Sequence, residues 1–168
     1  SEQFWLSLYH IRGRFPLRQS TQARIDCWHR YGNGPVARVN AAYAKPEDFD
    51  LIRPSVIHID TSFLSRRWSN PDAFATDAWA QSLRDSQALI LFQPQDEFVD
   101  TVKLNDFIDF VGGGIVLSCA EGDDLERIYP NADARGVTFM TVLPGYLPLD
   151  SLSGTPRPIR QRPIDLGY

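Results

Sequence analysis

The sequence predicts an α/β fold, with helices on both faces of a mainly parallel sheet. Three observations predict it. Short apolar runs alternate with helical patterns along the chain. One of those runs, ALILF at residues 88–92, is apolar throughout, as a strand covered on both faces should be. The stretches between runs are long enough for the crossovers that parallel strands require.

The elements follow in order. Residues 4–9 are rich in aromatic and aliphatic side chains and predict the first strand. Ser20 or Thr21 is a candidate cap for a helix reaching Tyr31, with Ile25, Trp28 and Tyr31 at helical spacing and Gly32-Asn33-Gly34-Pro35 as the stop. Residues 36–40 predict the second strand, and 48–50 a loop or a single helical turn. SVIHID, residues 55–60, predicts the third strand. Asn70-Pro71 is an Asn cap with Pro at the first helical position, and predicts a helix with Phe74, Ala75, Ala78, Trp79 and Leu83 on one face. After the fourth strand at 88–92, Leu104, Phe107, Ile108 and Val111 mark one helix face. Asp100 or Thr101 is its cap, and Gly112-Gly113-Gly114 ends it. Residues 115–119 predict a fifth strand, 123–129 a short helix closed by Pro130, and 137–143 a sixth strand. The whole is a Rossmann-like three-layer α/β/α sandwich of about six strands over residues 1–147. A Pro- and Arg-rich extended tail, or the start of an interdomain linker, follows over 148–168.

Composition narrows the function. The chain has 168 residues, is 43% hydrophobic and 23% charged, and carries a net charge of −4, a profile of one globular domain rather than a nucleic-acid coat. No apolar run reaches membrane-spanning length. Cys27 and Cys119 make neither a disulfide framework nor a metal spacing, and a reducing, cytoplasmic setting is the expectation. No metal and no cofactor is expected. After the first strand there is neither GxGxxG nor GxxxxGK followed by Ser or Thr, which excludes dinucleotide and P-loop sites. A receiver domain would need an acidic pair there and a Lys after strand five, where this chain has His10 with arginines and Glu121.

Ligands of an open parallel sheet bind beyond the carboxyl ends of its strands, so the candidates are the residues that follow each strand. His10, Arg12 and Arg14 follow the first. They suit a phosphate or carboxylate, or form a solvated basic loop. Asp60, Thr61, Ser62, Ser65, Arg66 and Arg67 follow the third and suit a hydroxyl-rich or anionic ligand; the local alternative is turn and cap chemistry. Gln95, Asp96 and Glu97 follow the fourth, where two carboxylates can serve as base and acceptor, or complement the dipole of the next helix. Glu121 follows the fifth as a weaker candidate. His58, inside a strand, reads as a core histidine, and Cys119 as a small buried hydrophobe.

Several segments carry a resemblance. FPLRQSTQARIDCWHRY, VARVNAAYA, FDLIRPSVIHIDTSFLSRRWS, QPQDEFVDTVKLNDFIDFVG, IYP and TVLPGYL, in that order, resemble the N-terminal half of bacterial glycosyltransferases of the two-domain GT-B type. Nearly the whole chain takes part, and PQDEF and TSFLSRRW together are the specific pieces. The departures are GGGIVLSC where the family has a VDxVFSV-like strand, and Leu143-Pro144-Gly145-Tyr146 where it has LTGY. The resemblance implies a domain of a longer protein, with the closing PIDLGY leading into a second Rossmann-like half. It implies a nucleotide-sugar donor held mainly by that second half and a hydroxyl-bearing acceptor held by this one. Arg12, Arg14, Thr61, Ser62, Arg66, Gln95, Asp96 and Glu97 would face the cleft, with Asp96 or Glu97 as the base, and the fragment alone would not turn over. The alternative is a non-catalytic α/β module that binds a glycan or a protein.

Overall fold

A computed structural model describes residues 4–13 and 16–142. The six apolar runs become β1 (Trp5–Tyr9), β2 (Val36–Asn40), β3 (Val56–Ile59), β4 (Leu89–Phe92), β5 (Gly114–Ser118) and β6 (Val137–Thr141). They form one sheet in the order β2-β1-β3-β4-β5-β6, and every neighbouring pair is parallel. The helices are α1 (Gln19–Tyr31), α2 (Phe49–Ile52), α3 (Thr61–Leu64), α4 (Arg66–Ser69), α5 (Ala78–Asp85), α6 (Thr101–Val111) and α7 (Asp123–Ile128). This is the expected α/β architecture. The final tail and Arg14 lie outside the described residues.

Burial explains why the central strands lack alternation. All four residues of β3 are buried, and so are Leu6, Ser7 and Leu8 of β1. Each of these strands is covered on both faces, so both side-chain sets must be apolar or internally paired. Successive β3 side chains point to opposite faces. On the face of His58 lies α1, whose Trp28 ring sits 5.1 Å from the imidazole and 5.2 Å from Trp5. On the opposite face α6 contributes Phe107, which stacks on Phe74 at 4.6 Å and meets Phe92 edge-on at 6.1 Å. Three layers result, with the larger aromatic core under α5 and α6.

Local signals succeeded or failed for identifiable reasons. Gly112 ends α6 in the left-handed region at φ 102°, as expected of a C-cap. The next two glycines serve the sheet instead. A Cβ on Gly113 would stand 2.5 Å from the Arg135 carbonyl oxygen, and one on Gly114 2.6 Å from that of Ile90. α1 starts at Gln19 with Arg18 at the N-cap and no side-chain cap, so Ser20 and Thr21 lie inside the helix rather than capping it. Asp100 flanks α6 in the left-handed region and also makes no side-chain cap.

The helix expected from Asn70 is the main correction. Asn70 instead closes α4, its N–H donating to the Arg66 carbonyl, and turns carry the chain to α5. Asp77 caps that helix, its Oδ1 accepting from the Ala80 N–H at 3.0 Å. Phe74, fully buried in the turn, joins the core from there rather than from a helical stripe. Residues 61–69, which follow the third strand and carry its turn and cap residues, form α3 and α4. The segment around 48–50 is a 3-10 turn (Pro46–Asp48) running into α2.

Candidate functional site

The chain leaves β1 for β2 on one side and returns to β3 on the other. The carboxyl ends of β1 and β3 are therefore the switch point, where a crevice opens in such sheets. The loop after β1 is pinned by Asn40 at the end of β2. Its Oδ1 accepts from the Ile11 N–H at 3.1 Å, and its Nδ2 donates to the Ile11 carbonyl at 2.9 Å. That fixes His10, whose N–H donates to Ser62 Oγ at 3.2 Å. β1 and β3 are thus joined by side chains just past their last paired residues.

Asp60 caps α3. Its Oδ1 accepts from the Ser62 N–H at 2.8 Å and from the Ser62 hydroxyl at 2.5 Å. Its Oδ2 lies 3.2 Å from Arg24 Nε of α1 in an ion pair. Thr61 is 5% exposed, and its hydroxyl has no hydrogen-bond partner among the described residues. Arg66 is 9% exposed, pairs through Nη2 with Asp77, and lies over the Phe63 ring at 4.7 Å. His10, Arg24, Thr61, Ser62, Arg66 and Gln95 line one crevice of about 330 Å³. Burial holds the His10 imidazole below its ordinary pKa, and Arg66 and Arg12 push it the same way.

Beside it a larger cleft of about 580 Å³ spans the ends of β4, β5 and β6. It shares Arg24, Thr61 and Gln95 with the crevice and adds Gln93, Asp96, Glu97, Phe98 and Cys119. The volume suits a small-molecule ligand. Phe98, 74% exposed, offers an aromatic wall.

The two carboxylates here differ. Glu97 is 3% exposed, and both its oxygens are taken. The Ser118 hydroxyl lies 2.9 and 2.8 Å from them, the Cys119 N–H donates at 3.2 Å, and the Tyr129 hydroxyl donates at 2.5 Å. Burial and the neighbouring Glu97 raise the Tyr129 pKa far above its ordinary value, so the phenol stays a donor. Asp96 is exposed and lines the cleft, in the left-handed region at φ 50°.

Arg67 holds this loop from below. It is fully buried and donates to the carbonyls of Leu64 at 3.0 Å, Gln95 at 3.0 Å, Asp96 at 3.2 Å and Val99 at 3.3 Å. Burial lowers its pKa, while Tyr129, Asp100, Asp96 and Glu97 oppose that shift.

Of the expected residues, His10, Thr61, Ser62, Arg66, Gln95, Asp96 and Glu97 meet at this edge. Arg12 is exposed and acts here through its charge on His10. Glu121 is exposed beside α7 and lines neither cavity. Cys119, expected buried, is exposed at the end of β5, and burial and Glu97 raise its thiol pKa, which makes it a poor nucleophile. His58 is the core histidine expected. Its Nε2 donates to Gln93 Oε1 at 2.7 Å, its Nδ1 accepts from the Ser7 hydroxyl at 3.1 Å, and burial lowers its pKa. Arg67 belongs to the polar cluster expected after the third strand, but it is buried and holds a loop instead of facing a ligand. Arg24 carries no signal in the sequence.

A cavity of about 570 Å³ at the amino edge, among Trp5, Trp28 and Val36, is lined by no acidic or basic side chain among the described residues. Among the described residues, no cluster of His, Cys, Asp and Glu could hold a metal ion, and no helix is long and apolar enough to cross a membrane. No protein-family model, curated protein or solved structure matches this chain.

Proposed function

We propose that the chain is the acceptor-side domain of a GT-B-type glycosyltransferase, which moves a sugar from a nucleotide-sugar donor to an acceptor hydroxyl. The observation that carries this reading is the cleft at the carboxyl edge. It combines the exposed carboxylate of Asp96 with the amides Gln93 and Gln95, the buried, unpartnered hydroxyl of Thr61 and the exposed ring of Phe98; the cleft's other exposed carboxylate, Asp124, is paired with Arg127 at 3.5 Å. Amides and hydroxyls both donate and accept, which suits a polyol. An exposed aromatic ring suits the apolar face of a sugar.

On this reading Asp96 takes the proton of the acceptor hydroxyl as its oxygen bonds to the anomeric carbon, and the nucleotide leaves with the electron pair of the broken bond. Glu97 and Arg67 position the loop that presents Asp96. The donor sits mainly on a second α/β half, and the reaction belongs to the cytoplasm. The segments PQDEF and TSFLSRRW support this assignment by resemblance.

The experiment is release of nucleoside diphosphate from a panel of nucleotide-sugars by the complete gene product, with and without sugar acceptors. Turnover that falls about 100-fold or more in Asp96→Asn supports the reading. No release from any donor favours the second reading, a non-catalytic module binding a glycan or a protein. The consumption of Glu97 by its own network favours that second reading, because it leaves the cleft only Asp96 and the Arg127-paired Asp124 as exposed carboxylates.

A further inference from the structure

The crevice between β1 and β3 holds buried polar atoms that make no hydrogen bond among the described residues. Arg24 Nε, Thr61 Oγ1 and Arg66 Nη1 are sealed from solvent and have no hydrogen-bond partner among the described residues. Native structures rarely leave such groups unpaired, and a site awaiting its ligand is one reason they persist. Each side chain is half engaged. Arg66 uses Nη2 on Asp77, and Arg24 Nε sits near Asp60 Oδ2 without hydrogen-bond alignment. The three belong to one crevice, with the hydroxyls of Ser62, Ser65 and Ser69 around them.

Two acids face these arginines. Asp60 is 1% exposed and gives Oδ1 to Ser62, while its Oδ2, buried and without a hydrogen bond among the described residues, balances the charge of Arg24 Nε from 3.2 Å. Asp77 gives Oδ1 to the cap of α5 and Oδ2 to Arg66. Arg12 adds a third positive charge, and the positive field reaches His10, which Arg66 and Arg12 push toward the neutral form.

We infer that this crevice is an oxyanion site, where a phosphoryl or carboxylate group of the ligand is held by Arg24 and Arg66 and accepts a hydrogen bond from the Thr61 hydroxyl. Guanidinium forks match oxyanions in geometry and charge, whereas a neutral hydroxyl would complete them only weakly. Arg24, with a side chain 25% exposed, is the member able to swing onto an incoming group. The crevice shares Arg24, Thr61 and Gln95 with the larger cleft, so one ligand can occupy both. The site therefore takes an acidic sugar, or a sugar phosphate, with its ring in the cleft and its charge in the crevice. The sugar part rests on the proposed function; the oxyanion part does not.

The test is NMR titration of the 168-residue chain, following the His10 imidazole and the backbone amides of His10 and Ser62. The probes are glucose, glucose 6-phosphate, glucuronate and inorganic phosphate. At least one anionic sugar is expected to bind roughly tenfold more tightly than glucose and to raise the pKa of His10. A preference for glucose 6-phosphate identifies a phosphoryl group and a preference for glucuronate a carboxylate. Arg24→Gln and the near-isosteric Thr61→Val should each weaken that binding about fivefold or more. Thr61→Val preserves the shape of the core should Arg24→Gln fail to fold. If glucose binds as tightly as both anionic sugars, the oxyanion site is overturned while the sugar cleft stands. If inorganic phosphate moves His10 but no sugar binds more tightly than phosphate, the sugar reading fails and the oxyanion site stands. Silence of His10 and Ser62 toward every anion overturns the inference.

Discussion

Two polar networks lie at the same edge of the sheet, and they differ in completeness. Between β4 and β5, Glu97 receives the Ser118 and Tyr129 hydroxyls and the Cys119 N–H, and Arg67 donates to four backbone carbonyls. Between β1 and β3, Thr61 and Arg66 each keep a buried atom without a partner among the described residues, and Arg24 Nε meets Asp60 Oδ2 as an ion pair without a hydrogen bond. Both networks are buried, charged and rich in hydroxyls. Completeness separates the scaffold from the site. A finished network fixes a loop, and an unfinished one invites a ligand.

The comparison breaks first at Arg67. Arg67→Met should destabilise the chain by about 3–5 kcal/mol, because four carbonyls lose a donor and nearby Glu97 loses a compensating charge. Arg67→Lys should recover only part, since an ammonium cannot reach four carbonyls spread over two segments. Urea denaturation measures both. A loss under 1 kcal/mol for Arg67→Met would mean that the loop is held elsewhere.

Glu97→Gln comes next, at about 2–3 kcal/mol. Every group around the carboxylate donates, so an amide of the same shape sets its own NH₂ against the Tyr129 hydroxyl or the Cys119 N–H. The same variant with unchanged stability would place Glu97 back among the free carboxylates of the cleft.

A third effect depends on pH. His58 and His10 both have folded-state pKa values lowered, chiefly by burial. The unfolded chain takes up protons below about pH 6.5, while the folded chain does so only at lower pH. Stability is therefore fully present above pH 6.5 and falls as pH drops through that value toward the folded pKa values. The slope approaches about 1.4 kcal/mol per pH unit for each histidine. His58→Asn should flatten the slope between pH 6.5 and 5 even if it lowers stability overall. An unchanged slope would show that His58 protonates in the folded chain.

The strands were legible because buried parallel strands are written as continuous apolar runs, and the strand-end rule then located Thr61, Ser62, Gln95 and Asp96 without any structure. The start of α5 was not legible. Asn70-Pro71 is a good local cap, but Phe74 is drawn into the aromatic core and Asp77, held by Arg66, caps the helix instead. The difference between Asp96 and Glu97 was also hidden. It depends on Ser118 and Tyr129, 21 and 32 residues from Glu97, and on Arg67, 28 residues from the Gln95 carbonyl it holds. Partners set so far apart leave no trace in local spacing, whereas strand ends do.

The smallest expected effect is the sharpest, because it sets two hydroxyls against each other. The Ser118 hydroxyl serves Glu97, and Ser118→Ala should cost about 1–2 kcal/mol by leaving a buried carboxylate one donor short. The Thr61 hydroxyl serves no group among the described residues, so Thr61→Val exchanges an unpaired buried polar atom for a methyl of the same shape. Its stability should stay within about 0.5 kcal/mol of the parent, or rise, since no hydrogen bond is lost and a desolvated hydroxyl is removed. A cost for Thr61→Val equal to that of Ser118→Ala would mean that the Thr61 hydroxyl already has a structural partner, and the contrast between the two networks would disappear. Unchanged stability together with weakened anion binding would instead separate the two: a hydroxyl that contributes nothing to the fold and is kept for what enters the crevice.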